Sequence, residues 1–138
     1  MIYAGGCHCG AIGFEYRTEL APQAWSVRAC RCAFCRAHGA LSTSDPAGAL
    51  TFRATDARRL ERYRFGLRTT DFLLCAGCGV YIGAVLEAPE GRFGIINVNA
   101  LRETVAVPAP LPVSYEAEDS SGRIGRRLSR WTPILGGI

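Results

Sequence analysis

Hydrophobic and polar residues alternate along several short segments of the chain. Residues 12–16 and 25–29 each alternate apolar side chains with small, polar or charged neighbours. An alternation with a period of two residues is typical of a β-strand with one buried face. Five further strands are predicted, at residues 50–53, 60–65, 70–75, 80–87 and 93–98. The pattern therefore predicts a mainly β fold built from short strands.

Helical periodicity is weak, and only two short helices are predicted. One covers residues 36–40. The other covers residues 122–131, where Ile124, Leu128 and Trp131 recur on one helical face. The few helices are expected to lie at the edges of a fold that strands dominate.

The length of 138 residues, with 49% hydrophobic and 20% charged residues, fits one globular domain over residues 1–138. Residues 107–113 contain three prolines, which lack the N–H group that a central strand donates. We expect this segment to run extended across the surface. Residues 102–138 are then a strap and tail beside the main body.

No segment of the sequence predicts a leader peptide or a membrane span. The longest apolar stretch, residues 80–86, is far shorter than the roughly 20 residues that cross a bilayer. We therefore expect a cytoplasmic protein. In that reducing compartment cysteines stay as thiols, so the seven cysteines of the chain indicate metal or redox chemistry and not disulfides.

The formal net charge of +4 counts every cysteine as neutral, and thiolates on metal ions would cancel most of it. Arginines cluster at residues 58–68 and at residues 123–130. We interpret both clusters as solvated faces, because no aromatic ladder or helix-turn-helix pattern accompanies them. Nucleic-acid binding is not favoured, and the oligomeric state does not follow from the sequence.

The cysteines fall into three groups along the chain. These are Cys7 with Cys9, then Cys30, Cys32 and Cys35, then Cys75 with Cys78. Zinc prefers four tetrahedral ligands and accepts sulfur readily. The middle group can hold one ion at little loop-closure cost, which leaves the two outer pairs for another. The spacing therefore predicts two zinc ions per chain.

The four outer cysteines are predicted to close a structural site. Such a site would pin the first strand to a hairpin more than sixty residues later, so its binding energy would be folding energy. Gly10 and Gly79 each follow the last cysteine of an outer pair, where a tight knuckle needs a residue free of Cβ strain.

The three middle cysteines leave a fourth zinc position open for water or substrate, which is the arrangement of a catalytic site. A substrate thiol bound there would lose its proton and become nucleophilic near neutral pH. Two alternatives stay open: His38 or Asp45 could fill the fourth position, or His38 could move a proton to a bound substrate. A third hypothesis, redox chemistry by Cys75 and Cys78, requires those sulfurs to be metal-free.

Residues near the cysteines have more ordinary expected roles. His8 lies between two ligands and is expected to point away from the metal. Arg36 is either a solvated side chain or a contact for an anionic group of the substrate. Phe34 is expected to pack or to shield the metal, while Tyr63 and Phe65 are predicted to be core.

Three motifs of this chain resemble the family of glutathione-dependent formaldehyde-activating enzymes, which also includes centromere protein V. The motifs are Gly5 to Ile12 with Phe14 and Glu15, then Cys30 to Arg36 with His38, Gly39 and Ala40, then Phe72 to Gly79. The resemblance covers about residues 3–101, and the spacing of the seven cysteines makes it specific. The tail from Pro108 to Ile138 does not follow the pattern of the family.

The resemblance implies a β-tent fold of small sheets around a structural zinc, similar to methionine sulfoxide reductase B. It also implies that the structural zinc is held by Cys7, Cys9, Cys75 and Cys78, and the catalytic zinc by Cys30, Cys32 and Cys35. The activity it implies joins glutathione and formaldehyde as S-hydroxymethylglutathione.

Two functions are therefore carried forward. The first is a zinc-dependent carbon–sulfur lyase-like enzyme, which acts on a glutathione-type thiol adduct of an aldehyde or other small electrophile. In this hypothesis His38 assists at the open three-cysteine site. The alternative is a non-catalytic zinc module that binds protein or nucleic acid through its arginines, for which salt-dependent binding to DNA would be the sign.

Overall fold

A computed structural model describes residues 1–138, and it is mainly β with two α-helices. The strands are β1 Ile2–Gly6, β2 Ile12–Arg17, β3 Arg28–Cys30, β4 Ser42–Thr43, β5 Ala49–Ala54, β6 Leu60–Tyr63, β7 Asp71–Cys75, β8 Tyr81–Ala88, β9 Gly91–Asn97, β10 Leu111–Val113 and β11 Thr132–Gly137. The helices are α1 Ala33–His38 and α2 Ser120–Arg130, and short 3-10 turns lie at Pro22–Ala24, Ala57–Arg59 and Val98–Ala100. The predicted fold class is confirmed.

The eleven strands form one branched sheet, in which three small sheet segments meet at β9. Strands β1, β2 and β5 are antiparallel, and β11 joins β5 in parallel. Strands β6 to β9 form an antiparallel meander. The other side of β9 pairs with β11 at one end and with β4 at the other, and β4 leads through β3 to β10. This branching places the β1–β2 turn beside the β7–β8 turn.

Two apolar clusters fill the space between these sheets. The larger one packs the buried faces of β2 and β5 against β7 and β8, with Phe14, Phe52, Leu73 and Ile82 all less than 1% exposed. The smaller one lies against α1 and α2 and includes the buried Trp131. In β2 and β5 the alternate apolar residues are buried, as the period-two pattern predicts, whereas β8 is buried on both faces from Tyr81 to Leu86.

One predicted strand is shorter and later than expected. Residues 25–29 were expected to pair along their length, but only Arg28–Cys30 does so. Trp25 and Val27 are buried at 3% exposure, and the indole Nε1 of Trp25 donates to the carbonyl of Leu20 at 3.0 Å. The alternation here reports burial of side chains and not strand pairing.

The C-terminal segment is more integrated than a tail. The predicted helix exists as α2, and Ile124, Leu128 and Trp131 pack together against the smaller cluster, as the helical spacing predicts. The proline-rich strap contributes β10, which pairs only with β3 and so lies at a sheet edge. Strand β11, which the alternation does not predict, inserts between β5 and β9.

Neither α-helix has the length and apolar character that a membrane crossing requires.

Candidate metal centres and the cavity beside them

The structure brings the four outer cysteines into one group. Their sulfur atoms all lie within 4.8 Å of one another. The Sγ of Cys9 is 3.7 Å from that of Cys7 and 3.5 Å from that of Cys75. In a tetrahedral zinc site with bonds of 2.3 Å the sulfurs are about 3.8 Å apart, whereas a disulfide bond is about 2.05 Å long. The donors therefore match zinc and not a disulfide.

Two similar turns present these sulfurs. Gly10 and Gly79 have φ angles of +83° and +79°, as the knuckle prediction requires. In the first turn the N–H of Ile12 donates to the Cys7 sulfur at 3.4 Å, and in the second the N–H of Cys78 donates to the Cys75 sulfur at 3.5 Å. Amide donors of this kind stabilise thiolates, which are the form that binds zinc.

Ionisation of the outer group is already favoured in part. Burial raises the pKa of Cys78, but the backbone amides of Cys9 and Val80 and the thiols of Cys75 and Cys9 outweigh it and bring the pKa to about 6. Cys9 behaves in the opposite way. The amide of Ala11 lowers its pKa, but the neighbouring thiols raise it to about 11. Sulfurs this close share protons until a cation replaces them.

The three middle cysteines form a second group, again with all sulfurs within 4.8 Å. Cys30 ends β3, Cys32 caps the N-terminus of α1, and Cys35 lies in the first turn of that helix. The N–H of Cys35 donates to the Cys32 sulfur at 3.4 Å. The Cys35 thiol, opposed by burial, lowers the pKa of Cys30 to about 5. Three sulfur donors arranged in this way fit a zinc ion and would leave its fourth tetrahedral position free.

Neither of the two residues that could close this site belongs to the group. The ring of His38 packs 4.5 Å from Phe34 and 5.7 Å from Tyr81, measured between centroids, and it lines a different cavity beside Cys78. Asp45 is buried and accepts from the Thr18 hydroxyl at 2.5 Å. The structure therefore brings the three sulfurs together without His38 or Asp45.

An open cavity of about 830 Å³, its mouth included, lies over the three sulfurs. Aromatic and apolar walls come from Phe65, Phe72, Ile95 and Trp131. Four guanidinium groups face the same space, those of Arg28, Arg123, Arg126 and Arg127.

The interpretation of the second arginine cluster as a solvated face is wrong for three of its members. Arg127 is only 9% exposed, and the side chains of Arg123 and Arg126 are 18% and 16% exposed. They are buried because α2 docks over the cavity with these residues on its inner face. Glu118 supplies the opposite charge for two of these arginines, since it pairs with Arg126 at 2.7 Å and with Arg123 at 3.4 Å.

The remaining residues near the cysteines have simpler positions. His8 is exposed, as expected, and Arg36 is exposed and does not line the cavity. Tyr63 was predicted to be core but is 48% exposed, because β6 is an edge strand that pairs only with β7. Its ring still stacks 5.8 Å from Phe34.

Comparison with known families decides the relationship. The family model described as glutathione-dependent formaldehyde-activating enzyme matches residues 2–113. The chain belongs to this family. The resemblance of the three cysteine motifs is thereby confirmed, and the match ends before α2 and β11 begin.

One solved structure similar to this family member is the crystal structure of a Rhodobacter sphaeroides protein, a structural genomics target. The two sequences are 28% identical, with 81% of this chain and 99% of the other covered and a TM-score of 0.54. Among curated proteins no relative matches the chain significantly.

Sequence reasoning missed several residues that face the cavity of this family member. Arg28 looked like a polar position of a strand, and Tyr115 and Thr70 carried no motif. Tyr81 does not line this cavity, but its hydroxyl is buried without a partner, and burial, together with the nearby Cys35, raises its pKa well above the ordinary value. The one feature of the sequence that could have indicated this cavity was the arginine cluster at residues 123–130.

Proposed function

We propose that the chain is a zinc-dependent enzyme of carbon–sulfur chemistry, which joins a thiol to an aldehyde and splits the adduct. Cys30, Cys32 and Cys35 would hold the catalytic zinc, and the four outer cysteines the structural zinc. The observation that carries the proposal is that three sulfurs line an open cavity with no fourth side-chain donor in their group. A purely structural zinc site would need that fourth donor.

The proposed reaction balances without an oxidant or a reductant. A bond forms between the thiol sulfur and the carbonyl carbon, and the thiol proton ends on the former carbonyl oxygen. The reverse reaction breaks the same carbon–sulfur bond. Zinc, when bound, supplies a Lewis acid that lowers the pKa of a thiol and polarises a carbonyl.

The chain's own residues would position and shelter the reactants. Phe72 and Trp131 give the cavity apolar walls, which limit the access of bulk water to the adduct. The guanidinium groups favour a substrate with negative charge, and glutathione carries carboxylates. This supports a glutathione-type thiol.

His38 has no contact with the three sulfurs, so the proposal gives it no step. Its predicted role in proton transfer stays a prediction, which substitution can test. The compartment we propose is the cytoplasm, where a reducing thiol pool would keep the cysteines available to the metal.

The test is the rate at which zinc-loaded protein exchanges formaldehyde with glutathione, followed by NMR on the methylene group of the adduct. We expect the wild type to accelerate exchange and Cys32→Ser to return it to the uncatalysed rate. His38→Ala is the comparison, and retained activity there would remove the histidine from the mechanism. A wild type that does not accelerate exchange but binds DNA in a salt-dependent way would instead favour the non-catalytic zinc module.

A further inference from the structure

Arg127 is a buried cation without a carboxylate partner. Its side chain enters the cavity from α2, and one terminal nitrogen donates to the hydroxyls of Thr69, at 3.0 Å, and Thr70. The guanidinium lies 4.7 Å from the centroid of the Trp131 ring. Its Nε is buried and has no hydrogen-bond partner. The two threonine hydroxyls therefore engage only one of its two terminal nitrogens.

Arg28 faces the same cavity from β3 and is also without a carboxylate. It donates to the Ser44 hydroxyl at 2.9 Å, and that hydroxyl donates to the carbonyl of Arg130 at 2.9 Å. Burial lowers the pKa of Arg127 to about 10, so this guanidinium is protonated at neutral pH.

The other charged groups at the cavity do not neutralise this pair. Glu118 is occupied by Arg123 and Arg126, as described above. Glu116 lines the cavity but makes no ion pair. The thiolates of the three-cysteine site are the remaining negative groups, and a bound zinc ion would offset most of their charge.

An unpaired buried cation is costly, and folded chains seldom keep one unless a ligand supplies the missing charge. A guanidinium also presents its N–H groups in a fork that matches a carboxylate or a phosphate. Arg127 is buried and Arg28 is half-buried, and both line the cavity that the three sulfurs also line.

We propose that Arg28 and Arg127 form an oxyanion subsite that holds a carboxylate or phosphate group of the substrate whose sulfur reaches the three-cysteine site. The subsite rests on the proposed function only in assigning that sulfur. Arg28 lies within the matched residues 2–113, whereas Arg127 comes from α2 beyond them, so the C-terminal segment of this chain completes the subsite. Small anionic thiols are then preferred over neutral ones.

The experiment is calorimetric titration of the zinc-loaded protein with four probes. They are 3-mercaptopropionate, which has a thiol and a carboxylate, 2-mercaptoethanol, which has a thiol and a neutral hydroxyl, and propionate and inorganic phosphate, which have the oxyanion but no thiol. We expect 3-mercaptopropionate to bind roughly 10-fold or more tightly than 2-mercaptoethanol, the factor expected of charge-assisted hydrogen bonds. The relative affinities of propionate and phosphate then tell which oxyanion the subsite prefers.

Arg127→Gln and Arg28→Gln should each bring the two thiols toward equal affinity. Arg58→Gln is the matched control, because its side chain is 90% exposed and pairs with Asp56 away from the cavity. Circular dichroism and zinc content are measured on each variant. If Arg127→Gln does not fold, the Arg28→Gln result decides.

The outcomes separate this proposal from the proposed function. If the oxyanion probes bind through the arginines but the sulfur of neither thiol increases its affinity, the subsite stands and the proposed function fails. If both thiols bind equally to the wild type and no oxyanion probe binds, the subsite is refuted while the proposed function survives. Arginine variants that lose zinc but keep the thiol preference would also refute it, since the guanidiniums would then only balance the thiolates.

Discussion

The sulfur atoms of Cys9 and Cys75 lie 3.5 Å apart, although 66 positions separate them along the chain. One belongs to the turn between β1 and β2, and the other ends β7. A metal ion here would close a long loop and join two different sheets, so its binding energy would contribute directly to folding. With a metal ion bound, the four-cysteine group would link these two sheets.

Removal of one cysteine of the four-cysteine group should therefore unfold the protein, whereas removal of one cysteine of the three-cysteine group should not. We expect Cys9→Ser to lose more than about 5 kcal/mol, which is comparable to the whole stability of a small domain. Cys32→Ser should lose one zinc and still unfold cooperatively. Thermal unfolding with zinc analysis measures both, and equal unfolding of the two variants would contradict the division into structural and catalytic sites.

The knuckle glycines give a finer test of the same turns. A Cβ at Gly79 would meet no atom within 4 Å, so Gly79→Ala is strained only by its φ of +79° and should cost about 1–2 kcal/mol. Gly125 in α2 is the matched control with equally open space, and Gly125→Ala should stabilise by about 0.5–1 kcal/mol. Denaturant unfolding of the zinc-loaded variants compares them; a harmless Gly79→Ala would disprove the strained knuckle.

Local spacing was enough to predict both cysteine groups, because their partition depends on short turns and on pairs within a few residues. The strands of the β7 to β9 meander were equally predictable, since each is an apolar segment bounded by turn signals. The β-tent arrangement of the sheets could be predicted only from the family resemblance, because no single segment indicates which sheet it joins.

The cavity could not be predicted in the same way. Arg28 and Arg127 are far apart in sequence and line one cavity only because α2 packs against the smaller apolar cluster. Strand β11 was missed because it contains Pro133 and glycines, which are poor strand formers. A basic cluster on a short amphipathic helix looks solvent-exposed when its partner surface is unknown. Burial of such charges depends on tertiary contacts that the pattern does not contain.

Glu118 pairs with two arginines of α2, and the hydrogen bonds from Arg126, followed by Arg123, hold its pKa below the ordinary value of 4.5. A lowered folded-state pKa stabilises the fold above the ordinary value, and this contribution is lost as pH falls through the folded-state pKa. We expect Glu118→Gln to lose about 1 kcal/mol at neutral pH.

The loss should shrink when unfolding is measured at progressively lower pH, because the wild-type carboxylate then becomes neutral as well. Glu103→Gln serves as the control, since Glu103 is exposed and makes no ion pair. A difference between wild type and Glu118→Gln that did not depend on pH would show that the ion pair is not its source.

Zinc removal separates metal binding from dithiol redox chemistry. With both sites loaded, a thiol-reactive dye should find Cys75 and Cys78 unreactive, and a strong chelator should expose them together with loss of the fold. Mass spectrometry after labelling identifies the modified residues. Rapid labelling of Cys75 and Cys78 in native, zinc-loaded protein would support the redox hypothesis instead.

The most direct test of the account is a crystal structure of the zinc-loaded protein, with anomalous data collected at the zinc edge. We predict two zinc peaks, one bound by Cys7, Cys9, Cys75 and Cys78. The other should be bound by Cys30, Cys32 and Cys35, with its fourth ligand a solvent or small molecule in the arginine-lined cavity. A single peak, or a protein side chain such as His38 in that fourth position, would contradict an open catalytic site.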